Sequence, residues 1–289
     1  MEKFILNGKL VDRSEGYVDV EDRGYQFGDG IYEVVRVYNG QLFTNKEHLD
    51  RLYLSAEKLS LQIPYSAEEL TKQLQELVTV NQLNTGIIYM QFTRGTAPRK
   101  HQFPETSHLT FVAYTNEVER PIDHFEKGVS AILVDDIRWL RCDIKSLNLL
   151  GNVLAKQQAA EKGCYEAIQH RGEIVTEGSS SNIFIVKNNE LLTHPATNLI
   201  LKGITRQVIL KICDEHQIAY REETFTIDDL LHADEVFMSS TTSEVTPIIQ
   251  VDQQKIGNGT PGALTRQIQK YFDQEIEKQT KQVETTTEK

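Results

Sequence analysis

No stretch of this sequence approaches the roughly 18 consecutive apolar residues of a membrane-crossing helix. Cysteine is scarce: Cys142, Cys164 and Cys213 are an odd number without C-x-x-C spacing, which speaks against a disulfide framework or a thiolate metal site. Basic charge is short as well. Against 31 Lys and Arg stand 42 Asp and Glu, a formal net charge of −11, so the chain lacks the cationic surface that draws nucleic acid or an anionic membrane. Residues 1–6 break at Asn7-Gly8 without the apolar core of a secretory signal, and a reducing cytoplasm is the expectation. No glycine run has the spacing of a P-loop or a dinucleotide fingerprint. What remains is an ordinary globular composition, 289 residues with 39% hydrophobic and 25% charged. That is enough for two domains of about 150 residues each, and too apolar for disorder.

Organisation follows from periodicity. Strands at 4–6 and 9–11 flank Asn7-Gly8, a strong hairpin signal. The β-branched and aromatic run 32–38 turns at Asn39-Gly40 into 41–43. Thr44 and Glu47 have capping-box spacing before Leu49, Leu52, Ala56 and Leu59, and Ser66 with Glu69 repeats the pattern before Leu70, Leu74 and Leu77. Strands at 87–93 and 109–114 complete an α+β domain over 1–117, and 118–121 is the expected linker. A larger domain over 122–277 mixes strands (129–134, 165–169, 173–176, 183–186, 218–220, 235–238) with helices near 148–162, 204–215 and 262–272. Residues 278–289 are polar and read as a solvated tail. The fold class is therefore α+β, two mixed α/β domains.

Five segments could carry chemistry. Residues 138–146 are dense in ionisable groups; if extended, alternation puts Arg141, Asp143 and Lys145 on one face. Lys145 among cations could act as an amine nucleophile, or the segment could be a solvated strand end. Residues 177–182, Glu-Gly-Ser-Ser-Ser-Asn, offer a carboxylate and several donors, or simply a serine-rich turn. Residues 202–206 open a helix with Gly203, and free N–H groups there suit a phosphate as well as ordinary capping. Residues 239–244 add hydroxyls after a strand. The loop 94–101 is basic in an acidic chain, and Arg99 with His101 could trap a carboxylate. His48 and Arg51 share a helix face at i, i+3. A thiol hydrolase using Cys142, its thiol activated by Arg138 and Arg141, is a competing reading.

Together these stretches, with the motif Asp22-Arg23-Gly24-Tyr25-Gln26-Phe27-Gly28-Asp29-Gly30, resemble the fold-type-IV aminotransferases that use pyridoxal 5′-phosphate. Within them the likeness is to the D-amino-acid (D-alanine) transaminase group, over nearly the whole chain. Arg99-x-His101 separates that group from branched-chain L-aminotransferases and aminodeoxychorismate lyases of the same fold, which are the alternative. The resemblance implies that Lys145, in the larger domain, holds the cofactor covalently and that Glu177 faces its ring nitrogen. It implies further that Arg51, Ile204, Thr205 and Thr241 bind the phosphate, with Ser181 also on the cofactor. Tyr32, Arg99 and His101 would take the substrate carboxylate, the last two across a homodimer. His48, Arg138 and Ser240 would be supporting residues. Expected partners are D-amino acids and 2-oxo acids, with neither metal, nucleic acid nor membrane.

Overall fold

The computed structural model describes residues 2–281, and they cluster into two units. The first comprises residues up to 119, with 145–148 and the chain from 274 onward; the second comprises 120–144 and 149–273. Residues 145–148 were expected with the larger domain and instead join the first unit.

The first unit is built on β1 (Lys3–Leu6), β2 (Lys9–Asp12), β3 (Gly30–Tyr38), β4 (Gln41–Leu42), β5 (Gly86–Thr93) and β6 (Thr110–Glu117). They form one sheet in the order β2-β1-β6-β5-β3-β4, every neighbouring pair antiparallel. Its helices are the short α1 (Arg23–Phe27), α2 (Asn45–Lys58) and α3 (Ala67–Val80). Leu70, Leu74 and Leu77 of α3 are fully buried, as their spacing predicts. α2 packs on β3 and α3 on β1 and β6, so the sheet face carrying Ile31, Glu33, Val35 and Val37 is closed off from water.

The two capping signals fare differently. Ser66 and Glu69 form a complete capping box at the start of α3. Thr44 precedes α2 but sits at φ 51 and makes no side-chain cap. Its hydroxyl donates to the Phe43 carbonyl at 2.8 Å, and its N–H goes to Gln279 Oε1 at 3.1 Å.

The second unit adds α4 (Ile122–Lys127), β7 (Val129–Asp135), α5 (Leu150–Glu161), β8 (Glu166–Arg171), β9 (Ile174–Gly178), β10 (Asn182–Lys187) and β11 (Glu190–Thr193). It continues with α6 (Ile204–Glu215), β12 (Tyr220–Glu222), α7 (Ile227–Leu231), β13 (Glu235–Ser240), β14 (Glu244–Val251), β15 (Gln254–Lys255) and α8 (Ala263–Thr280). The sheet runs β12-β11-β10-β13-β14-β7-β8-β9, with β15 on β14. β7 and β8 are parallel and joined through α5, whose Ala155 and Ala159 lie against Ile132, Val134 and Ala167. The fold is α+β.

The unit boundary falls within α8, which runs beyond the expected helix end near 272 to Thr280, itself fully buried. The expected solvated tail is thus helical over 278–280, and its remainder from 282 lies outside the described residues.

Candidate active site

In the first unit a short irregular segment adds itself to the start of β3. Tyr32 N–H donates to the Lys145 carbonyl at 3.1 Å, Leu147 N–H to Gly30 O at 3.0 Å, and Ile31 bridges Ser146. Lys145 N–H reaches Ser55 Oγ of α2 at 3.3 Å. Gly30 permits this approach, because a Cβ there would lie 2.8 Å from Leu147 Cδ1 and 2.5 Å from the Phe92 carbonyl. The consequence is a half-buried lysine whose Nζ stands 4.2 Å from the centroid of the Tyr32 ring. Among the described residues no hydrogen bond or ion pair engages that amine. The extended alternation expected for 138–146 does not occur; the chain turns at Arg141, whose carbonyl accepts from Ile144 N–H at 3.2 Å. Arg171 Nη2 holds the turn by donating to the Arg138 and Trp139 carbonyls.

One residue beyond Tyr32, on the opposite face of β3, lies Glu33, fully buried. Arg51 grips it with Nε on Oε1 at 2.7 Å and Nη2 on Oε2 at 2.9 Å, and His48 Nδ1 lies 2.7 Å from Oε2. Burial works to raise the Glu33 carboxyl, but Arg51 and then His48 outweigh it and hold it below the ordinary carboxylate range. Burial lowers His48 despite Glu33, with Arg51 and Lys145 adding to the effect. The imidazole is therefore neutral and donates Nδ1–H to the carboxylate. Sequence reasoning paired His48 with Arg51 and missed Glu33. The available signal was an acid interrupting the β-branched run 32–38.

In the second unit Glu177, on β9, is held from three sides. Arg138 Nη1 donates to Oε1 at 2.5 Å; Asn182 Nδ2 and Leu201 N–H each donate to Oε2 at 3.0 Å. Arg138 is itself anchored on Asp136, through Nε at 2.8 Å and Nη2 at 2.9 Å. Burial pushes the Glu177 carboxyl up to about 7, and Arg138 only partly opposes it. The loop before α6 fits closely here: a Cβ on Gly203 would lie 2.1 Å from Asn182 Oδ1. Ile204 and Thr205 open α6, both buried, and no side chain caps that helix start. Asn182 and Asp136 had been assigned no role from sequence.

Ser181 lies in the turn between β9 and β10. Its hydroxyl donates to Glu166 Oε2 at 2.8 Å, while Ser179 Oγ and N–H both go to Glu166 Oε1. This fully buried acid on β8 organises the serine turn. Ser240 Oγ accepts from Ser243 N–H at 3.0 Å, and Thr241 beside it is half-buried. Arg99 and His101 are exposed in the first unit's basic loop. Burial pushes the Cys142 thiol up to about 11, and its Sγ donates to the Trp139 carbonyl, which removes it as a thiolate nucleophile. Among the described residues no cluster suits a metal ion.

Residues 30–251 match the amino-transferase class IV family, and the chain belongs to it. Over 278 residues the chain is 55% identical to the D-alanine aminotransferase of Staphylococcus aureus (strain MSSA476), across 96% of this chain and 99% of that protein. Against the D-alanine aminotransferase of Bacillus licheniformis it is 52% identical over 274 residues, 95% of this chain and 97% of the other. Among solved structures, the branched-chain amino acid aminotransferase of Escherichia coli matches at TM-score 0.90 and 27% identity, covering 94% of this chain and 94% of that one.

Proposed function

We propose that this chain is a pyridoxal 5′-phosphate-dependent D-amino-acid transaminase, moving the amino group of D-alanine to 2-oxoglutarate in a ping-pong cycle that yields pyruvate and D-glutamate. One observation carries the reading: an uncommitted lysine amine fixed beside Tyr32, in a chain 55% identical to a D-alanine aminotransferase. The residues suit the cofactor. Lys145 has no competing partner among the described residues, and Glu177 is a buried carboxyl, raised to about 7, whose charged form a cationic ring nitrogen would stabilise.

When bound, the cofactor supplies a carbonyl that condenses with amines and a ring that accepts an electron pair. Lys145 Nζ would hold it, and the same amine is the base that would take the proton from the substrate Cα. Glu177, with Arg138 and Asn182 fixing its orientation, would favour a protonated ring nitrogen. Arg51, the N–H groups at Ile204 and Thr205, and Thr241 would hold the phosphate, with Ser181 also on the cofactor and Ser240 in support. Tyr32, Arg99 and His101 pin the substrate carboxylate; a pinned carboxylate lets only one enantiomer aim its Cα–H at Lys145. The reading includes a cytoplasmic homodimer in which Arg99 and His101 serve the partner's substrate.

The test is pyruvate formation from D-alanine and 2-oxoglutarate by the purified enzyme. Borohydride reduction should bleach the yellow colour and label Lys145. A branched-chain L-aminotransferase or aminodeoxychorismate lyase-like enzyme is the second reading, favoured by the structural match to a branched-chain enzyme. Preference for L-leucine over D-alanine would establish it instead.

A further inference from the structure

The loop that bears Arg99 and His101 forms neither helix nor strand over 99–102, yet one side chain holds its backbone. Arg23, only 3% exposed, sends Nη1 to the carbonyls of Lys100 at 2.6 Å and Gln102 at 3.4 Å, and Nη2 to that of His101 at 3.4 Å. Its Nε is fixed on Asp29 Oδ2 at 2.8 Å. Asp29 is shared with Arg94, whose Nε lies 2.9 Å from the same oxygen and whose Nη2 donates to the Leu59 carbonyl at 2.8 Å.

Beneath the loop lies the ring of Phe27. Arg99 Cζ is 4.7 Å from its centroid and Arg23 Cζ 4.8 Å, while the His101 ring meets it edge-on at 5.7 Å. Among the described residues no hydrogen bond or ion pair engages the Arg99 side chain.

We propose that Arg23 and Phe27 are positioning residues that pre-form Arg99 and His101 as a single carboxylate receptor. The inference rests on the reading of that pair as the substrate-carboxylate site. An exposed arginine samples many rotamers, and ordering them on binding costs affinity. A guanidinium carbon held over the Phe27 ring uses none of its N–H groups on the ring, which leaves them to a carboxylate. Arg23 supplies the other half of the arrangement. By fixing the three carbonyls of 100–102 it sets where the side chains on either side of Lys100 leave the backbone, so both land on the same ring.

The experiment uses the holoenzyme variants Arg23→Gln, Phe27→Leu, Phe27→Tyr and Arg99→Gln. KM and kcat for D-alanine are measured beside the inhibition constant of propionate, a carboxylate with no amino group to react. Arg23→Gln and Phe27→Leu should each raise KM and the propionate constant about tenfold and leave kcat within about twofold. Phe27→Tyr, which keeps the ring, should restore both. Adding Phe27→Leu to Arg99→Gln should weaken binding by less than Phe27→Leu does in the wild-type background, the remainder acting through His101. If Arg99→Gln raises KM while Phe27→Leu and Arg23→Gln leave it unchanged, the positioning role is wrong and the carboxylate site stands. If Arg99→Gln itself leaves KM unchanged, the carboxylate site falls and the positioning role with it. Should Arg23→Gln fail to fold, the two Phe27 variants decide the question.

Discussion

Arg51 turns Nε and Nη2 onto the two oxygens of Glu33, whereas Arg138 turns the same two nitrogens onto Asp136 and gives Glu177 a single Nη1 contact. Burial pushes both glutamates upward. For Glu33 the bidentate arginine and the neutral His48 overcome that push, and the carboxyl stays ionised throughout the neutral range. For Glu177 the arginine is shared, the Asp136 charge adds to the rise, and the carboxyl settles at about 7. The same residue types thus make two different objects. One is a closed, internally neutral pair that fixes Arg51 on α2 against β3. The other is an acid kept short of positive charge, which ionises fully once a cation arrives beside it.

Breaking the closed pair should have the largest effect. Glu33→Gln removes the buried carboxylate that Arg51 and His48 both hold, a change of about 3–5 kcal/mol, read as a fall in melting temperature of roughly 6–20 °C in the cofactor-free protein. A shift under about 3 °C would show that Glu33 is not the anchor its geometry makes it. Glu177→Gln should do the reverse. Turnover of D-alanine falls roughly 100- to 1,000-fold, the loss expected when a preorganised charge at the reacting centre is removed. The cofactor colour stays, and the melting temperature moves little. Unchanged turnover would remove the electrostatic role of Glu177.

The part of this contrast legible in the sequence was the part set by short-range pattern. The helix at Ser66 was legible because donor and acceptor of its box are three residues apart and nothing distant competes. The same signal at Thr44 did not translate into a box: its backbone sits at φ 51 with the hydroxyl turned to the Phe43 carbonyl, and Gln279, 235 residues away, takes the N–H that Glu47 would have taken. The helical course of 278–280 was hidden for the same reason: Gln279 and the buried Thr280 belong to a contact that no local composition reveals. Lys145, Glu177, Arg99 and His101 stood out through a resemblance that runs nearly the length of the chain. Glu33 did not, since period-two alternation assigns it to the apolar face of β3, where an acid is out of place until Arg51 and His48 are brought to it. Glu166 was equally hidden: nothing near it in the sequence marks it as the acid on the adjoining strand that takes the Ser181 hydroxyl.

The two carboxyls should also give stability slopes of opposite sign. In cofactor-free protein Glu177 titrates near 7, above its ordinary 4.5, so the folded chain holds a proton that the unfolded chain has released. The contribution of Glu177 to stability therefore falls as pH rises from about 4.5 to about 7, by on the order of 3 kcal/mol, while the lowered His48 works the other way up to its ordinary 6.5. Glu33 contributes stability that is complete above its ordinary 4.5 and lost as pH falls through its lowered folded value. Urea unfolding in pH steps measures both slopes, and Glu177→Gln should flatten the segment between about 4.5 and 7 while leaving the acid limb in place. A Glu177→Gln curve with the same slope as wild type across that window would mean that Arg138 neutralises Glu177 as fully as Arg51 neutralises Glu33.

The smallest effect isolates the arginine itself. Asp136→Asn removes the charge that adds to the rise of Glu177 and weakens the hold on Nε and Nη2 of Arg138. Glu177 should then titrate at a lower pH. The infrared carbonyl stretch of the protonated carboxyl reports that midpoint directly in cofactor-free protein, with Glu177→Gln identifying the band. The reading is independent of whatever global stability the variant loses through Arg171 and Thr176, which also bond to Asp136. If the midpoint stays where it was, the Asp136 charge has no part in the acidity of Glu177, and the way Arg138 divides its nitrogens is not what distinguishes the two carboxyls.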